Sequence, residues 1–375
     1  MRLKLCLIAS KLWIVLPLLG TFCALPSAAQ NGKLAAEERA KIDAAAAHFL
    51  ETSKVPGVAV AVVEDGEFAW AAGYGSADLE NAAPVTPDTL FRLASVSKTV
   101  SAVAAMELWE QGKLDLDAPI QKYCPAFPDK GALITTRELL GHLGGIRHYK
   151  EGAAGLPEVN NTIHFGDPIA GGIGFFKDDP LVAAPGRRYR YSTQGYTLVG
   201  CAMEGASGQV YADIVKQNVL LKADMRETFV DDRFAVIPHR TRFYSKDAAG
   251  KVINAEFLDS SYKIPGGGWI SSASDMARFE AALMDGRLVR PAKFTLMGTP
   301  QKPSDGSEDT YGMGLGVGKV DGFTTVSHSG GQQGTSTMIL MVPAKKLGVV
   351  VLANMDGVGA GELAKEIAGL LLAAQ

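Results

Sequence analysis

Two stretches of strand-forming sequence at opposite ends of the 375-residue chain most constrain its fold. Near the start, Gly57-Val-Ala-Val-Ala-Val-Val63 and Glu67-Phe-Ala-Trp-Ala-Ala72 flank Glu64-Asp65-Gly66, which reads as a β-hairpin. Near the end, strand character returns at Thr324–His328, Ser336–Val342 and Leu347–Leu352. Isolated hairpins are marginal in water, so these runs should join in one antiparallel sheet. A helix from Ala35 to Leu50 and another near Gly361–Leu372 should cover it. Between the strand runs lies a pattern of short helices and long loops, with helical stretches at Gln194–Ala206, Val210–Leu220 and Asp275–Met284. Strands at both ends with helices between predict an α+β fold. The expected division is a sheet core from about 30–112 and 265–375, with a mostly helical insertion at 113–264. No repeat, low-complexity tract or Pro/Ser-rich linker interrupts the chain, so the two regions should share a rigid interface, a common place for ligand clefts.

Residues 1–29 read as a signal peptide. Arg2 and Lys4 precede an apolar run from Leu12 to Leu25, and small residues Ser27 and Ala29 stand before Gln30. The run is short for a bilayer span. Cys23 follows Phe22, where a lipoprotein signal would have a small residue. The remaining chain, 30–375, is expected to form the folded unit in a periplasmic or secreted setting. Its charge balance, near −6 once Arg2, Lys4 and Lys11 are removed, offers no basic face for nucleic acid. Nothing else is long and apolar enough to cross a membrane. Of four cysteines only Cys124 and Cys201 would remain, open either to one disulfide or to two buried thiols.

Three short segments carry candidate chemistry: Ser95-Val96-Ser97-Lys98, Tyr191-Ser192-Thr193 and His328-Ser329-Gly330. A hydroxyl nucleophile needs a base and donors for the oxyanion that follows. Ser95 opens an apparent amphipathic helix running through Val103, Met106 and Leu108 to Gly112, with Lys98 one turn on the same face. Free amides and the helix dipole favour an oxyanion there. A second match, Ser260-Ser261-Tyr262-Lys263, runs into Pro265 and Gly266-Gly267-Gly268, where no helix is expected to follow.

The order and surroundings of these segments are similar to one known family. Residues 91–123 (FRLASVSKTVSAVAAMELWEQGKLDLDAPIQKY) resemble the nucleophile helix of the serine β-lactamase and penicillin-binding superfamily, in its class C-like branch. TTRELLGHLGGIRHY resembles the helix and turn that follow. The stretch around Tyr191, GGGWISSASDMARF and SHSGG look like the mitochondrial β-lactamase-like serine proteases and their bacterial relatives. The resemblance covers roughly residues 40–373. It implies acyl-enzyme formation on Ser95, with Lys98 beside it and Tyr191 relaying the proton to the leaving group. The oxyanion hole would use the amides of Ser95 and Gly331, and Thr193, His328, Ser329 and Gly330 would contact substrate. No metal or organic cofactor is implied.

Two residues depart from the family pattern. Thr193 stands where asparagine usually ends the second motif, and a hydroxyl cannot replace both ends of an amide. His328 stands in place of lysine; it could bind a substrate carboxylate when protonated, near its ordinary pKa of about 6.5, or hydrogen-bond Tyr191 when neutral. Both changes favour a peptidase or amidase, then a small-ester esterase, over efficient β-lactam hydrolysis. A penicillin-recognising sensor or assembly protein is the non-enzymatic alternative.

Other signals are weaker. There is no Gly-x-Ser-x-Gly elbow, Gly-Lys-Ser/Thr phosphate loop or His-Glu-x-x-His zinc helix. His142 and His148 flank a Gly-Gly turn and read as packing and turn contacts rather than metal ligands. Gly312, Gly314, Gly316 and Gly318 suggest a strand passing close to its neighbours. Arg187, Arg188 and Arg190 read as a solvated edge.

Overall fold

The computed structural model describes residues 27–30, 33–150 and 156–374. Apart from its last residues, the expected signal peptide lies outside them. The strands, in chain order, are β1 (Ser27–Gln30), β2 (Gly57–Glu64), β3 (Glu67–Asp78), β4 (Ala83–Pro84), β5 (Phe91–Arg92), β6 (Thr228–Val230) and β7 (Tyr244–Lys246). They continue with β8 (Val252–Asn254), β9 (Trp269–Ser271), β10 (Gly316–Val320), β11 (Phe323–Gln332), β12 (Thr335–Val342) and β13 (Leu347–Ala353). One antiparallel sheet has the order β1-β3-β2-β13-β12-β11-β10, with β4 against β3. The two ends of the chain meet where β2 pairs with β13, Val60 opposite Val351.

The period-two alternation of a strand explains why β2 is apolar on both faces. Val58, Val60 and Val62 join a core with Val349, Val351 and the helices Ala36–Ser53 and Ala360–Leu372. Ala59, Ala61 and Val63 join a second core, with Val350, Leu352 and the helix Ala273–Met284. The sheet is therefore covered on both sides.

Deep in that second core lies the helix Ser97–Glu110. It is not amphipathic as the sequence suggested: every residue from Ser97 to Leu108 is buried. A helix surrounded on all sides is held by packing rather than by one apolar stripe. A smaller sheet, β5-β9-β6, lies just before its start, and β7 pairs with β8 as a separate ribbon. Among the described residues no helix is long and apolar enough to cross a membrane.

One local reading is corrected, and one that stood open is decided. A short helix, Ile264–Gly267, does follow Ser260, because Pro265 occupies its first turn, where the missing N–H costs nothing. Cys124 and Cys201, left open by the sequence, are joined in a disulfide with Cα atoms 5.4 Å apart.

Candidate active site

Ser95 lies in a 3₁₀ turn, Ala94–Val96, that leads into the buried helix. Of residues 91–108 it alone is not buried. The turn is fixed from three sides. Leu93 N–H donates to the Trp269 carbonyl at 2.8 Å, and Thr337 Oγ1 donates to the Leu93 carbonyl at 2.9 Å. Ala94, just before the serine, is held at φ 47°, a left-handed conformation uncommon for alanine and of the kind that gathers at functional sites. Gly330 lets β11 approach this turn: a Cβ there would sit 2.2 Å from Thr337 Oγ1 and 2.3 Å from the Leu93 carbonyl oxygen.

Lys98 is fully buried, and its Nζ lies 3.0 Å from Ser95 Oγ, 3.1 Å from Thr193 Oγ1 and 2.6 Å from the Gly266 carbonyl oxygen. No carboxylate pairs with it among the described residues. Burial above all, and then the Lys263 charge, hold its pKa well below that of an ordinary lysine. A neutral amine has two N–H donors and one lone pair. The carbonyl and Thr193 can accept the two donors, which leaves the lone pair for the serine hydroxyl.

Tyr191 precedes the helix Thr193–Ser207, whose N-cap is Ser192; Ser192 Oγ accepts from Gly195 N–H at 2.8 Å and donates to the Arg147 carbonyl at 2.6 Å. Lys98 Nζ lies 4.9 Å from the Tyr191 ring centre. Burial pushes the phenol's pKa up, and its hydrogen bond to Ser95 pulls it partly back. Burial thus disfavours the charged form of both groups, the Tyr191 phenolate and the Lys98 ammonium.

His142 and His148 prove to be more than turn residues. His142 Nδ1 accepts from Ser192 N–H at 3.1 Å, and His148 Nδ1 accepts from Thr193 N–H at 3.2 Å. Their rings flank Tyr191 at 4.3 and 5.3 Å. Both act as acceptors at Nδ1 and are therefore neutral; burial lowers His142 strongly and His148 to about 4. Two of only six histidines on either side of a Gly-Gly turn were the available sequence signal. What could not be read was that both reach the same distant backbone.

His328 departs from both readings offered by the sequence. Its Nε2 lies 2.9 Å from Tyr311 Oη rather than against Tyr191, and its Nδ1 lies 2.6 Å from the Ser329 carbonyl oxygen. Burial, then the Lys98 charge, lowers its pKa to about 3. It is not a cation near neutral pH. Tyr311 was not singled out in the sequence.

A cavity of about 330 Å³ joins Ser95, Tyr191, Tyr311, His328, Ser329 and Gly331. Ser95 and Gly331 thus face one space. Ser260 is buried, and its Oγ has no hydrogen-bond partner. Among the described residues no cluster of histidine, cysteine and carboxylate side chains could hold a metal.

Comparison with known proteins places the chain in a family. The beta-lactamase family model matches residues 42–373. The human mitochondrial serine beta-lactamase-like protein LACTB is 30% identical over 417 aligned residues, covering 84% of this chain and 76% of the relative. A D-aminopeptidase from Gluconobacter oxydans is 26% identical, covering 84% of this chain and 59% of the relative. Among solved structures, an octameric penicillin-binding protein homologue from Pyrococcus abyssi superimposes with a TM-score of 0.77 at 28% identity, over 89% of this chain and 77% of its own. With a serine, a buried lysine and a tyrosine gathered at the start of one helix, the chain belongs to the beta-lactamase family and is a serine hydrolase.

Proposed function

We propose that this protein is an exported amidase or peptidase that acts through an acyl-enzyme on Ser95. The observation that carries the reading is Lys98: a buried amine without a carboxylate, 3.0 Å from the serine oxygen. The Lys98 lone pair takes the Ser95 proton as Oγ attacks the acyl carbon. The oxyanion is received by the Ser95 and Gly331 amides, near the positive end of the helix dipole. Tyr191 passes its proton to the departing nitrogen while the Lys98 ammonium returns one to the phenol, so the amine leaves neutral. Water then enters by the reverse relay, frees the acid and restores Ser95.

Three features support an amide or peptide substrate over a β-lactam. Thr193 Oγ1 accepts from Lys98 Nζ, and a hydroxyl has no amide to offer the acyl side chain. His328 is neutral, so it cannot replace the lysine charge that β-lactamases place in the third motif. The Gluconobacter relative is named for aminopeptidase activity. Export is supported by the signal-like residues 1–29 and by the Cys124–Cys201 disulfide, a bond favoured in oxidising compartments.

The test is covalent labelling with a fluorophosphonate and with a fluorescent penicillin, followed by mapping of the modified residue. Fluorophosphonate should label the protein on Ser95, and Ser95→Ala should abolish labelling while the circular dichroism spectrum is unchanged. Labelling that persists in Ser95→Ala would sink the assignment. Nitrocefin turnover above about 10⁶ M⁻¹s⁻¹, in the efficient-enzyme range, would make the protein a β-lactamase instead.

A further inference from the structure

Four arginines line one cavity apart from the nucleophile. Arg92, Arg233, Arg240 and Arg242 share a space of about 490 Å³ with Asp231 and Glu256, so its walls carry two more cations than carboxylates. Arg92 ends β5, Asp231 follows β6, Arg240 to Phe243 lead into β7, and Asn254 to Leu258 leave β8. The cavity has no lining residue in common with the one that holds Ser95 and Tyr191. The chain as a whole is acidic, with a formal net charge of −3, so this concentration of positive charge is local and composition hides it.

The carboxylates of the fold do not match these cations. One close ion pair is present, with Arg92 Nε 2.7 Å from Asp231 Oδ2. Arg240, Arg233 and Arg242 reach Asp231, Asp259 and Asp78 only at 3.9, 3.5 and 3.5 Å. Arg240 Nη2 donates to the Asp232 carbonyl at 2.7 Å, but its Nε is buried without an acceptor. Glu256 is exposed and forms no ion pair among the described residues. Arg92 is anchored: it is buried, stacks 3.9 Å from the Phe243 ring centre, and donates to the Gln333 and Leu258 carbonyls at 3.2 and 3.3 Å. It contributes charge to the cavity, while Arg240 and Arg242 keep donors to give. A buried donor without an acceptor and like charges in one cavity are both unfavourable, and an entering anion relieves both.

We infer that this cavity binds a small multivalent anion, one with clustered phosphate or carboxylate oxygens, held chiefly by Arg240 and Arg242. Guanidinium forks present paired N–H donors that match such oxygens. The volume is that of a small-molecule pocket. Phe243 and the exposed Phe257, whose ring centre lies 5.3 Å from the Arg233 guanidinium, give the wall apolar faces for the carbon frame of an organic anion. The ligand is not the acyl donor, because it sits in its own cavity and leaves the one at Ser95 free. The two places are nonetheless joined through the chain. Arg92 stands three residues before Ser95, and Gln333, which accepts from Arg92, stands two residues after Gly331.

The experiment titrates the protein calorimetrically with pyrophosphate and with citrate at constant ionic strength, with acetate as the singly charged control. At least one of the two multivalent anions should bind once per chain with Kd below about 1 mM and raise the melting temperature. Binding of pyrophosphate alone would point to phosphate esters as the ligand class, and binding of citrate alone to polycarboxylates. Arg240→Gln and Arg242→Gln should each weaken binding about tenfold, the low end for losing a hydrogen bond to a charged group. Arg240→Lys should keep part of the affinity. Arg242 is 58% exposed, so its variant serves if Arg240→Gln fails to fold. Protein carrying a fluorophosphonate on Ser95 should bind the anion as tightly as the free enzyme. Binding no tighter than that of acetate, affinity unchanged in Arg240→Gln and Arg242→Gln alike, or binding lost on modification of Ser95 would overturn the inference. If no fluorophosphonate labels the protein, the acyl-enzyme reading fails and the arginine variants alone decide this one.

Discussion

At Ser95 the decisive balance is between two groups whose charged forms are both disfavoured. Burial lowers the pKa of Lys98 and raises that of Tyr191, so the same loss of water works against the ammonium and the phenolate. In the proposed relay neither acts alone: the amine takes the serine proton and the phenol hands one on. If they form one relay, Lys98→Met, Tyr191→Phe and the double variant should each lose on the order of 10³-fold or more in acylation rate, as groups acting as a unit do. A double variant whose loss is the product of the single losses would show independent roles; single-turnover labelling kinetics decide. The three motif segments could be read from the sequence because residue type and spacing carry the chemistry. The surroundings of His328 could not. Its pKa is lowered by burial and then by the Lys98 charge, and its ring partner Tyr311 stands outside all three motifs. No helix is expected after Ser260 because Pro265 and three glycines follow it, but proline is permitted in a first turn, and the short helix Ile264–Gly267 forms.

The elements themselves were legible where hydrophobic period and turn chemistry agree. The hairpin around Asp65-Gly66 spans Gly57–Glu64 and Glu67–Asp78, and the C-terminal strands start and stop within a few residues of their expected positions. β10 was only hinted at by its glycines, because Gly316-Val-Gly-Lys-Val320 has too few apolar residues to alternate. The central helix looked amphipathic because serine, threonine and lysine break its apolar run. In the fold those polar groups are consumed internally: Ser101 Oγ donates to the Ser97 carbonyl at 3.0 Å, and Thr99 Oγ1 to the Gly314 carbonyl at 2.7 Å. Contact between β11 and the nucleophile turn depends on one missing side chain. Gly330→Ala would force its methyl into Thr337 and the Leu93 carbonyl, both backed by buried structure. The expected result is a stability loss of about 1–3 kcal/mol, the usual cost of overpacking, together with slower labelling of Ser95. Unchanged denaturation midpoints and labelling rates would show that β11 can withdraw without moving the site.

For the molecule as a whole, the site is a store of histidines that folding keeps neutral. His142, His148 and His328 all have depressed pKa values, the latter two to about 4 and about 3. In the unfolded chain each would titrate near 6.5, so between about pH 4 and 6 the unfolded state binds the extra protons. A group depressed on folding contributes stability above its unfolded pKa and loses it as pH falls toward the folded value. Stability should therefore decline on acidification from about pH 6.5. Glu280 works against this trend. It is fully buried on the helix Ala273–Met284, and burial raises its pKa well above the ordinary range, so the native state holds its proton where the unfolded chain has released one. The wild-type slope is the difference between such contributions, and a single substitution isolates one of them. His328→Gln removes one unfolded-state proton and leaves the others. Between pH 4 and 6 the slope of unfolding free energy against pH should then be smaller by about 1.4 kcal/mol per pH unit, the value for one proton. Urea denaturation of both proteins at half-unit intervals measures it. Parallel curves for the two would mean that His328 titrates alike in the folded and unfolded chain, and that a protonated imidazole is after all available at the active site.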